Sequence, residues 1–568
     1  MLKGKILLGT LFFILTGFGQ TFEWGNLSGG LGLDATYSIG VASDDGIISV
    51  GIFEETVDFD PGVDEVSLTS FGDRDVFIHK TNSDGELLWA VSIGGENDEG
   101  STSMTLDADD NIFIAGSFES TVDFDPGVGV FNLTAPGDGS HENFILKLDS
   151  DGNFLWAKSF GGELNEANNE IKVDGDGNIY CAGFFEGTID LDPGDSILEY
   201  TAPGIGSAFV IKLDENGDLI WHYVVNGITA AHGNSAYEVV ISELGEVTLT
   251  GHFSETVDFD FSEETYNVTA VGGADVFVLR LNSDGEFIWM NHFGGSGIDR
   301  CFQAKLDTEG NTYVTGEFIN SFTITLPDGE ETFTSHGSFD IFLAKLDSEG
   351  NFLWMKIFGG LAADQGRAVY ICADGNLAIT GRFQSAADFD PNEGVFELNS
   401  SSSIDGYVGK ISPSGNLLWV ESFGGSSIDF GIDIKEDADG SIYVCGAFIE
   451  SADLNPGGGI QTVTSAGSYD GFLLKLSGTI GLAANDLPKV ALYPNPAANN
   501  EVYLEFNEVL NQSKIEIFNL SGQVVYANYY ANETPRNLRI ELNQEPGVYF
   551  VHVNALDHNT LVFKLIVM

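Results

Sequence analysis

The residues of this chain best suited to chemistry are carboxylates, and many of them stand in Asp-x-Asp pairs. Five such pairs recur along the chain, with Asp453/Asn455 and Thr323/Thr325 as variants. Because side chains alternate along a strand, both carboxylates of a pair would lie on one face. Ca²⁺ prefers oxygen ligands of this kind, and weak extracellular sites are common. The pairs therefore predict calcium as a cofactor, with the ligands Asp58, Asp60, Asp123, Asp125, Asp190, Asp192, Asp258, Asp260, Asp388 and Asp390.

A role in turns is the alternative for these pairs. In several repeats the second Asp precedes Pro-Gly, as in Asp60-Pro61-Gly62, where its side chain can accept a backbone hydrogen bond. This role explains one acid of each pair and leaves the first unexplained. The sequence indicates no cofactor other than calcium.

A second set of acids stands ten residues after a tryptophan. The position is acidic in six of seven repeats, and Ala231 is the exception. Grouped around one mouth of a central channel, such carboxylates would attract a cation or raise one another's pKa. The favoured alternative is that each acid caps a backbone turn or pairs with a basic residue. The candidate acidic ring consists of Asp34, Glu99, Glu166, Asp299, Asp364 and Asp429.

Histidines and cysteines form no catalytic pattern in the sequence. The 9 His and 4 Cys have no spacing typical of a metal site or a catalytic triad, and the Cys are expected to be buried free thiols. No catalytic residue is predicted, and the chain is not expected to be an enzyme. An active site would break the symmetry of the repeats, and the breaks fall in repeat four and at Arg300 in repeat five. The alternative function is an extracellular polysaccharide hydrolase or lyase acting at the channel.

The chain is strongly acidic. Its 568 residues include 86 Asp and Glu against 23 Lys and Arg, for a formal net charge of -63. Phosphate backbones and anionic lipids are bound through Lys and Arg, so nucleic acid is excluded as the default partner. Residues 20–479 hold 77 acids and 16 bases, and seven of these bases recur at one repeat position. The sequence therefore predicts structural ion pairs and almost no basic patch.

Seven repeats organise most of the chain. All 7 Trp, from Trp24 to Trp419, are separated by 65 to 68 residues. Each repeat contains Gly-x-Phe, and six repeats contain Gly-Gly shortly after the Trp. Such a period indicates one supersecondary unit per repeat. The recurring bases are Lys80, Lys147, Lys212, Arg280, Lys345, Lys410 and Lys475.

Each repeat predicts two β-hairpins. Turns at 149–153 and 174–178 carry Gly where a type I turn with a bulge needs a positive φ. Two hairpins make a four-stranded blade, so the predicted fold class is all-β: a seven-bladed β-propeller at 20–479 followed by a small C-terminal β-sandwich. The lone Trp strand at 22–24 should pair with 472–476 and close the ring. An open solenoid is the alternative.

The repeat resembles a known bacterial sequence. Residues 144–180 contain Phe-Ile-Leu-Lys-Leu-Asp-Ser-Asp-Gly-Asn-Phe-Leu-Trp, then Gly-Gly, then Asp-Gly-Asp-Gly-Asn-Ile-Tyr. This pattern resembles the β-propeller repeat called SBBP, and the resemblance covers 20–479. It implies a scaffold at the cell surface and no particular chemistry.

The first residues predict secretion. Residues 1–19 carry Lys3 and Lys5, an apolar run and small residues before a cleavage site, which is typical of a signal peptide with Gln20 as the mature start. The apolar run is too short to span a bilayer as a helix. No transmembrane segment is expected in the mature chain.

After a linker at 480–487, residues 488–568 form a separate predicted domain. Short alternating runs predict about seven strands in a small β-sandwich. The order of the motifs resembles the C-terminal type A sorting domain of the type IX secretion system, and an ordinary accessory sandwich is the alternative. The residues that carry the resemblance are Tyr493, Pro494, Asn495, Pro496, Gly522, Gly547, Tyr549 and Lys564.

The resemblance implies partners and a location. The partners would be the type IX secretion machinery and a sortase-like peptidase, and the protein would be secreted or held at the outer surface of a Gram-negative bacterium. Together these features predict a β-propeller scaffold for binding or adhesion, with a glycan or a protein as its ligand.

Overall fold

The computed structural model describes residues 20–567 apart from 63, 137–140, 163, 228–232, 263, 393, 458, 478–489, 494–500, 507–510, 520–523, 534–536, 542–546 and 556–557. The signal peptide and linker predicted at 1–19 and 480–487 lie outside the described residues. The chain divides into two compact units, Met1–Thr479 and Ile480–Met568.

Every described element of regular structure is a β-strand, which confirms the all-β expectation. The strands of the first unit are β1 (Phe22–Ser28), β2 (Ala35–Val41), β3 (Ile47–Asp58), β4 (Ser67–Thr81), β5 (Leu87–Ile93), β6 (Glu99–Leu106), β7 (Ile112–Phe118), β8 (Thr121–Asp123), β9 (Asn132–Thr134), β10 (Glu142–Leu148), β11 (Phe154–Phe160), β12 (Glu166–Val173), β13 (Ile179–Phe185), β14 (Thr188–Asp190), β15 (Glu199–Thr201), β16 (Ser207–Leu213), β17 (Leu219–Gly227), β18 (Ser235–Ile241), β19 (Val247–Phe253), β20 (Thr256–Asp258), β21 (Asn267–Thr269), β22 (Asp275–Leu281), β23 (Phe287–Phe293), β24 (Arg300–Leu306), β25 (Thr312–Phe318), β26 (Ser321–Leu326), β27 (Gly329–Thr334), β28 (Asp340–Leu346), β29 (Phe352–Gly360), β30 (Gln365–Ile371), β31 (Leu377–Asp388), β32 (Glu397–Ile411), β33 (Leu417–Gly425), β34 (Asp429–Glu436), β35 (Ile442–Asp453) and β36 (Thr462–Leu476).

Twenty-eight of these strands pair into seven antiparallel four-stranded groups, one for each repeat register, and the other eight form the short hairpins β8-β9, β14-β15, β20-β21 and β26-β27. We call the four-stranded groups the first to seventh sheets. In order, they are β2-β3-β4-β5, β6-β7-β10-β11, β12-β13-β16-β17, β18-β19-β22-β23, β24-β25-β28-β29, β30-β31-β32-β33 and β34-β35-β36-β1.

The seventh sheet joins the two ends of the first unit. Its outer strand is β1, which pairs with β36 so that Trp24 lies opposite Lys475 and Ser28 opposite Gly471. The pairing expected between these two strands is therefore present. It gives β36 a hydrogen-bonded neighbour along an edge that would otherwise be open.

The first strands of the seven sheets contact one another in cyclic order. The contacts run from β2 to β6, β12, β18, β24, β30 and β34, and β34 contacts β2 again. These strands surround a cavity of about 790 Å³, which we call the central cavity.

Neighbouring sheets share apolar cores. Val50 and Ile78 of the first sheet pack with Ile114 and Leu146 of the second, and all four side chains are fully buried. Burying a side chain of this size stabilises the fold by about 1.5–3 kcal/mol. The Val- and Ile-rich second and third strands of each sheet therefore hold the sheets face to face.

The recurring Trp and basic residues link and brace the sheets. The indole N–H of Trp24 donates to the carbonyl of Ser83 in the next sheet at 3.2 Å, and Trp289 donates to Ser348 in the same way. Lys212 lies over the Tyr180 ring. The other six recurring bases form ion pairs, as predicted: Lys80, Lys147, Arg280, Lys345, Lys410 and Lys475.

The second unit contains seven described strands in two sheets. One sheet has the order β37-β38-β41 and the other β40-β39-β42-β43. Val502 and Leu538 of the first sheet share a buried core with Ile515 and Val551 of the second. The strands are β37 (Val490–Tyr493), β38 (Glu501–Phe506), β39 (Asn511–Asn519), β40 (Val524–Glu533), β41 (Asn537–Glu541), β42 (Gly547–Ala555) and β43 (His558–Val567).

In the described part of the chain, no helix is both long enough and apolar enough to cross a membrane.

Candidate functional site

The first strand of every sheet contains a β-bulge at the same position. Bulges re-aim side chains and are frequent beside functional sites. Six residue types occupy these seven positions, whereas the Trp and the Gly-x-Phe glycine are invariant among the repeats. The bulge residues are Tyr37, Thr102, Asn169, Tyr237, Phe302, Arg367 and Ile432.

Directly after the bulges, the central cavity holds a buried layer of ion pairs. Lys305 lies 3.3 Å from Glu238, and Lys435 lies 2.6 Å from Asp433. Lys172 lies between Glu170 and Glu238. The layer thus contains three acids and three bases, all matched.

The pKa values of Glu170 and Asp433 in this layer shift in opposite directions. Burial and the neighbouring Glu238 raise the pKa of Glu170 to about 6. Burial would also raise the pKa of Asp433, but the Lys435 ammonium outweighs it and holds that pKa below its ordinary value. Each acid of this layer forms an ion pair with at least one lysine.

A basic and aromatic cluster lies at the mouth of the central cavity. Arg300, Arg367 and Arg382 line a recess of about 360 Å³ together with Tyr237 and Phe302. We call this recess the arginine mouth; Gln365 and Phe430 complete its lining. Because Tyr237, Phe302 and Arg367 also line the central cavity, the recess and the cavity adjoin.

The three arginines are not equally neutralised. Arg300 forms a 2.8 Å ion pair with Glu317, whose other oxygen accepts a 2.7 Å hydrogen bond from Gln365. Arg367 lies over the Phe302 ring, 4.7 Å from its centre. Neither Arg367 nor Arg382 forms an ion pair within the described residues. Burial, and next the Arg382 charge, lower the pKa of Arg367.

Almost no basic patch was expected, but the bases that do not brace the sheets are concentrated at the cavities. Of the 16 bases in residues 20–479, seven brace the sheets and only Lys158 and Lys356 lie outside both the brace positions and the cavities. The remaining seven line the central cavity or the arginine mouth: Arg74, Lys172, Arg300, Lys305, Arg367, Arg382 and Lys435.

Sequence reasoning missed this cluster, although a signal was present. Arg382 is the variable residue of a Gly-x-Phe motif, and Ile52 and Ser117 occupy the same position in other repeats and also border the central cavity. The invariant Gly and Phe hold the strand in place while the residue between them points to the cavity. Arg300, noted in the sequence as a break in symmetry, does lie in the mouth.

The six acids of the candidate ring are all buried, each in its own turn. Asp364 accepts hydrogen bonds from the backbone N–H of Gly360 at 2.7 Å and of Gln384 at 2.9 Å. Asp34 and Asp299 bind two backbone N–H groups in the same way. Five of the six acids thus cap the turn that enters a new sheet, whereas neither oxygen of Glu166 has a hydrogen-bond partner within the described residues. A cation shared by the ring stays a prediction.

Each of the six acids lies beside a second buried carboxylate that the sequence reasoning did not identify. A Cβ built at Gly359 would lie 2.9 Å from Asp340 Oδ1 and 2.9 Å from Asp364 Oδ2, so the recurring Gly-Gly leaves room for the two carboxylates. We call these the carboxylate pairs: Asp470/Asp34, Asp75/Glu99, Glu142/Glu166, Asp275/Asp299, Asp340/Asp364 and Asp405/Asp429.

Both members of a carboxylate pair are lost together at the remaining position. Asn234 accepts the backbone N–H of Ser254 as Asp34 accepts that of Glu54, so Asn234 is the structural equivalent of the six acids. An insertion in this repeat shifts the count from the Trp, which is why Ala231 was assigned to the position. The partner position there holds Ser207. Ala231 itself lies outside the described residues.

Burial raises the pKa values of the carboxylate pairs, as Asp75 and Glu99 illustrate. Burial, with a further contribution from Asp75, raises the pKa of Glu99 to about 8, and burial raises that of Asp75 to about 6. Glu99 Oε2 accepts the Gly95 N–H and Asp75 Oδ2 accepts the Phe71 N–H. The other oxygens, Glu99 Oε1 and Asp75 Oδ1, have no described hydrogen-bond partner. One proton shared between them would satisfy both oxygens.

The Asp-x-Asp pairs act as loop clamps. Asp123 Oδ1 accepts the backbone N–H of Asp125 at 3.1 Å and of Phe131 at 2.7 Å, which explains the first acid. Asp125 accepts the N–H of Gly127, as expected for the second acid. The same bonds recur at Asp58/Asp60, Asp190/Asp192, Asp258/Asp260 and Asp388/Asp390.

Two carboxylates per loop are a poor fit to calcium, which takes six to eight oxygens. In the described chain, the metal-like cluster of three side chains is a different one, Cys372, Asp374 and Glu436. There Lys410 already lies 2.8 Å from Asp374 and 3.5 Å from Glu436, so an ammonium fills the place of a metal. Calcium at the Asp-x-Asp loops stays a prediction.

The sulfur chemistry is inert. All four Cys are free and buried, as the sequence predicted. Burial raises the pKa of Cys181 and of Cys301 to about 12, so neither is a thiolate at neutral pH.

The sorting-motif residues fall on the strands of the second unit where they are described. Tyr493 ends β37, Gly547 begins β42, Tyr549 is buried in β42, and Lys564 lies in β43. Pro494, Asn495, Pro496 and Gly522 lie outside the described residues.

Comparison with protein families identifies this second unit. Residues 491–568 match the family described as the secretion system C-terminal sorting domain. The second unit is a sorting domain. The match indicates export through the type IX secretion system, to the cell surface or into the medium.

The chain is also similar to parts of longer proteins. The chain is 24% identical over 443 residues to an uncharacterized WD repeat-containing protein of Acanthamoeba polyphaga mimivirus, covering 65% of this chain and 31% of that protein. It is 27% identical over 211 residues to the regulatory protein FlaEY of Caulobacter vibrioides, covering 35% and 21%. The chain thus spans a third or less of these relatives.

Solved structures show only weak overall similarity. PorZ of Porphyromonas gingivalis, a surface component of its type IX secretion system, is 12% identical with a TM-score of 0.22, over 98% of this chain and 87% of that one. A protein of unknown function from Bacteroides caccae is 13% identical with a TM-score of 0.25, over 59% and 95%. Scores at this level do not establish a common fold. The SBBP resemblance of residues 20–479 stays a prediction.

Proposed function

We propose that residues 20–479 form a seven-bladed β-propeller that serves as an exported ligand-binding scaffold. The seven four-stranded sheets, the cyclic contacts of their first strands and the β1–β36 pairing support this architecture. Radial closure leaves few open strand edges, which suits a protein that works outside the cell.

The observation that carries the binding role is the contrast between the sheets and the cavity. The residues that hold the sheets together repeat, whereas those at the seven bulges do not. A scaffold that served only as a spacer would have no reason to vary the residues of its cavity. Three of the seven bulge residues, Tyr237, Phe302 and Arg367, meet at the arginine mouth.

Binding fits the mouth better than catalysis. Glycoside hydrolysis requires two available carboxyl groups, one of them as acid. At the mouth, Glu317 is held by Arg300 and Gln365, and in the layer below, Glu238 and Asp433 are held by lysines. We therefore propose a binding protein. A polysaccharide hydrolase or lyase is the alternative, and a screen scored for cleavage distinguishes the two.

The test is a glycan and protein-ligand screen with the chain purified from Gln20, scored for both binding and cleavage. We expect binding without cleavage, and loss of binding in Tyr237→Ala and Phe302→Ala. Tyr266→Ala, an exposed tyrosine on the β20–β21 hairpin, is the matched control and should bind like the native chain. Cleavage products would establish the enzyme instead, and binding that survives both mouth substitutions would place the ligand elsewhere.

We propose that the sorting domain delivers this scaffold to the outer surface, with the type IX machinery and a sortase-like peptidase as its partners. Deleting 491–568 should leave the protein inside the producing cell, as measured by immunoblots of cell and surface fractions. Surface display of the truncated chain would contradict this role.

A further inference from the structure

The composition of the arginine mouth defines the chemical class of its ligand. Resting on the proposed function, we propose that the arginine mouth binds a sugar that carries a carboxylate, such as a uronic acid at the end of a glycan or in a short glycan.

The first step is the distribution of charge. The repeat region holds 77 acids and 16 bases, yet Arg367 and Arg382 lie together and neither forms an ion pair with any residue that the structure describes. Acidic side chains are abundant enough to neutralise them by chance. Two adjacent guanidinium groups repel each other when they are partly removed from water, so the free protein bears a cost that an anionic ligand would relieve.

The second step is the geometry of the donors. Arginine presents a planar fork of N–H donors that matches both oxygens of a carboxylate. Arg300 is already occupied by Glu317, which accepts one hydrogen bond from Arg300 and another from Gln365. Arg367 and Arg382 are therefore the donors left for a carboxylate from outside.

The third step is the aromatic wall. The Tyr237 and Phe302 rings meet edge to face, 5.6 Å apart, and Arg367 stacks on Phe302. Aromatic rings supply rigid apolar surface, and the Tyr hydroxyl adds a polar edge, which together suit a sugar ring with an apolar face and polar rim. The recess of about 360 Å³ is at the lower end of ligand pockets and accommodates one or two sugar rings.

The fourth step limits the length of the ligand. The repeat region as a whole is strongly acidic, with 77 acids against 16 bases, and Arg74 on the cavity wall is already paired with Asp98. Beyond the mouth, a long polyanion would be repelled by the surrounding acids. At physiological salt this repulsion acts over only about 8 Å, so a short ligand held inside the mouth is little affected. The mouth therefore favours a chain end or a short oligomer over an extended acidic polymer.

The experiment is isothermal titration calorimetry of the chain from Gln20 with tetragalacturonate and with its methyl ester. The ester keeps the sugar rings and removes the charges. The variants are Arg367→Gln and Arg382→Gln, and Lys356→Gln is the control, because it removes one positive charge outside the mouth, where Lys356 bonds Asn392. Thermal melts of all variants verify that they fold.

We expect tetragalacturonate to bind, each Arg substitution to weaken binding at least about tenfold, and Lys356→Gln to leave it unchanged, because a hydrogen bond to a charged group contributes about 1.5–3 kcal/mol. Equal affinity for the ester, or equal affinity of the two Arg variants and the native chain, would overturn the proposal. If uronates do not bind but another ligand binds and is lost in Tyr237→Ala, this inference fails while the proposed function stands. If no ligand is lost in Tyr237→Ala, both fail.

Discussion

At the scale of single residues, the carboxylate pairs are the least expected feature of this protein. Two anions buried side by side are costly unless a cation or a proton lies between them. In the Asp75/Glu99 pair, each carboxylate has one oxygen bound to a backbone N–H and one without a partner. Protonation of one of the two carboxyl groups would remove one of the two buried negative charges. The loss of both acids at Ser207/Asn234 indicates that the pair acts as a unit.

The pairs predict a stability that falls as pH rises. The pKa of Glu99 is raised by burial to about 8, whereas an unfolded Glu titrates near 4.3. The folded state therefore holds protons that the unfolded state releases, so stability is lost as pH rises from about 4 towards 8. Glu99→Gln is neutral at every pH, and its amide can donate to Asp75. Relative to the native chain, we expect this variant to gain about 3 kcal/mol of unfolding free energy between pH 5 and pH 8, because one proton of linkage corresponds to about 1.4 kcal/mol for each pH unit.

Urea unfolding at both pH values measures this difference. Glu215→Gln, which removes an exposed acid from a turn, controls for the change in net charge and should give the same small effect at both pH values. If Glu99→Gln shifted stability equally at pH 5 and pH 8, the shared-proton interpretation would fail.

The loop clamps give a second prediction at this scale. Asp123 holds two backbone N–H groups and Asp125 holds one. We therefore expect Asp123→Ala to lower the free energy of unfolding by about 1–2 kcal/mol and Asp125→Ala to lower it less. Melting in the presence of calcium and of a chelator tests the metal at the same time. Equal melting temperatures would count against calcium.

At the scale of elements, the sequence predicted the sheets well and the site poorly. The Trp period, the hairpin turns and the lone strand around Trp24 were sufficient for the four-stranded repeats and for the β1–β36 pairing, because these depend on local alternation. The arginine mouth draws on three positions of the repeat, represented by Arg300, Arg367 and Arg382. These positions converge only when neighbouring sheets are placed side by side, so the sequence marks single residues such as Arg300 but does not show that they meet.

The partners of the carboxylate pairs were missed for the same reason. Glu99 begins β6 in the second sheet, and Asp75 lies in β4 of the first. The insertion before Asn234 also displaced the repeat alignment, so that Ala231 looked like the exception. Both errors come from reading one repeat at a time.

The strand β1 carries a prediction at this scale. Without residues 20–28, β36 loses its pairing partner and its backbone groups become an open edge, which invites association with other chains. We expect this deletion to produce oligomers in size-exclusion chromatography, whereas deleting 20–21 alone should leave the elution volume unchanged. A monomeric 20–28 deletion would contradict the role of β1 in closing the seventh sheet.

At the scale of the whole molecule, two units divide the work. Residues 20–479 form repeated sheets around a cavity lined by variable residues, and the sorting domain at 491–568 indicates export. The net charge of -63 is consistent with this division, because the acids belong to the repeats and their loops rather than to a single binding surface. The few bases not needed to brace the sheets are concentrated at the cavity.

The β1–β36 pairing has one more consequence. The backbone N–H of Ser477 donates to the carbonyl of Thr21 at 2.7 Å, so the two ends of the repeat region are neighbours. A circular permutant that joins 477 to 21 and opens in the exposed turn at 174–178 should therefore keep all seven sheets. In that molecule the seventh sheet would become an ordinary continuous meander, and the third would be the one assembled from both chain ends. The sheet that is assembled from both chain ends is therefore determined by the position of the termini and not by the architecture.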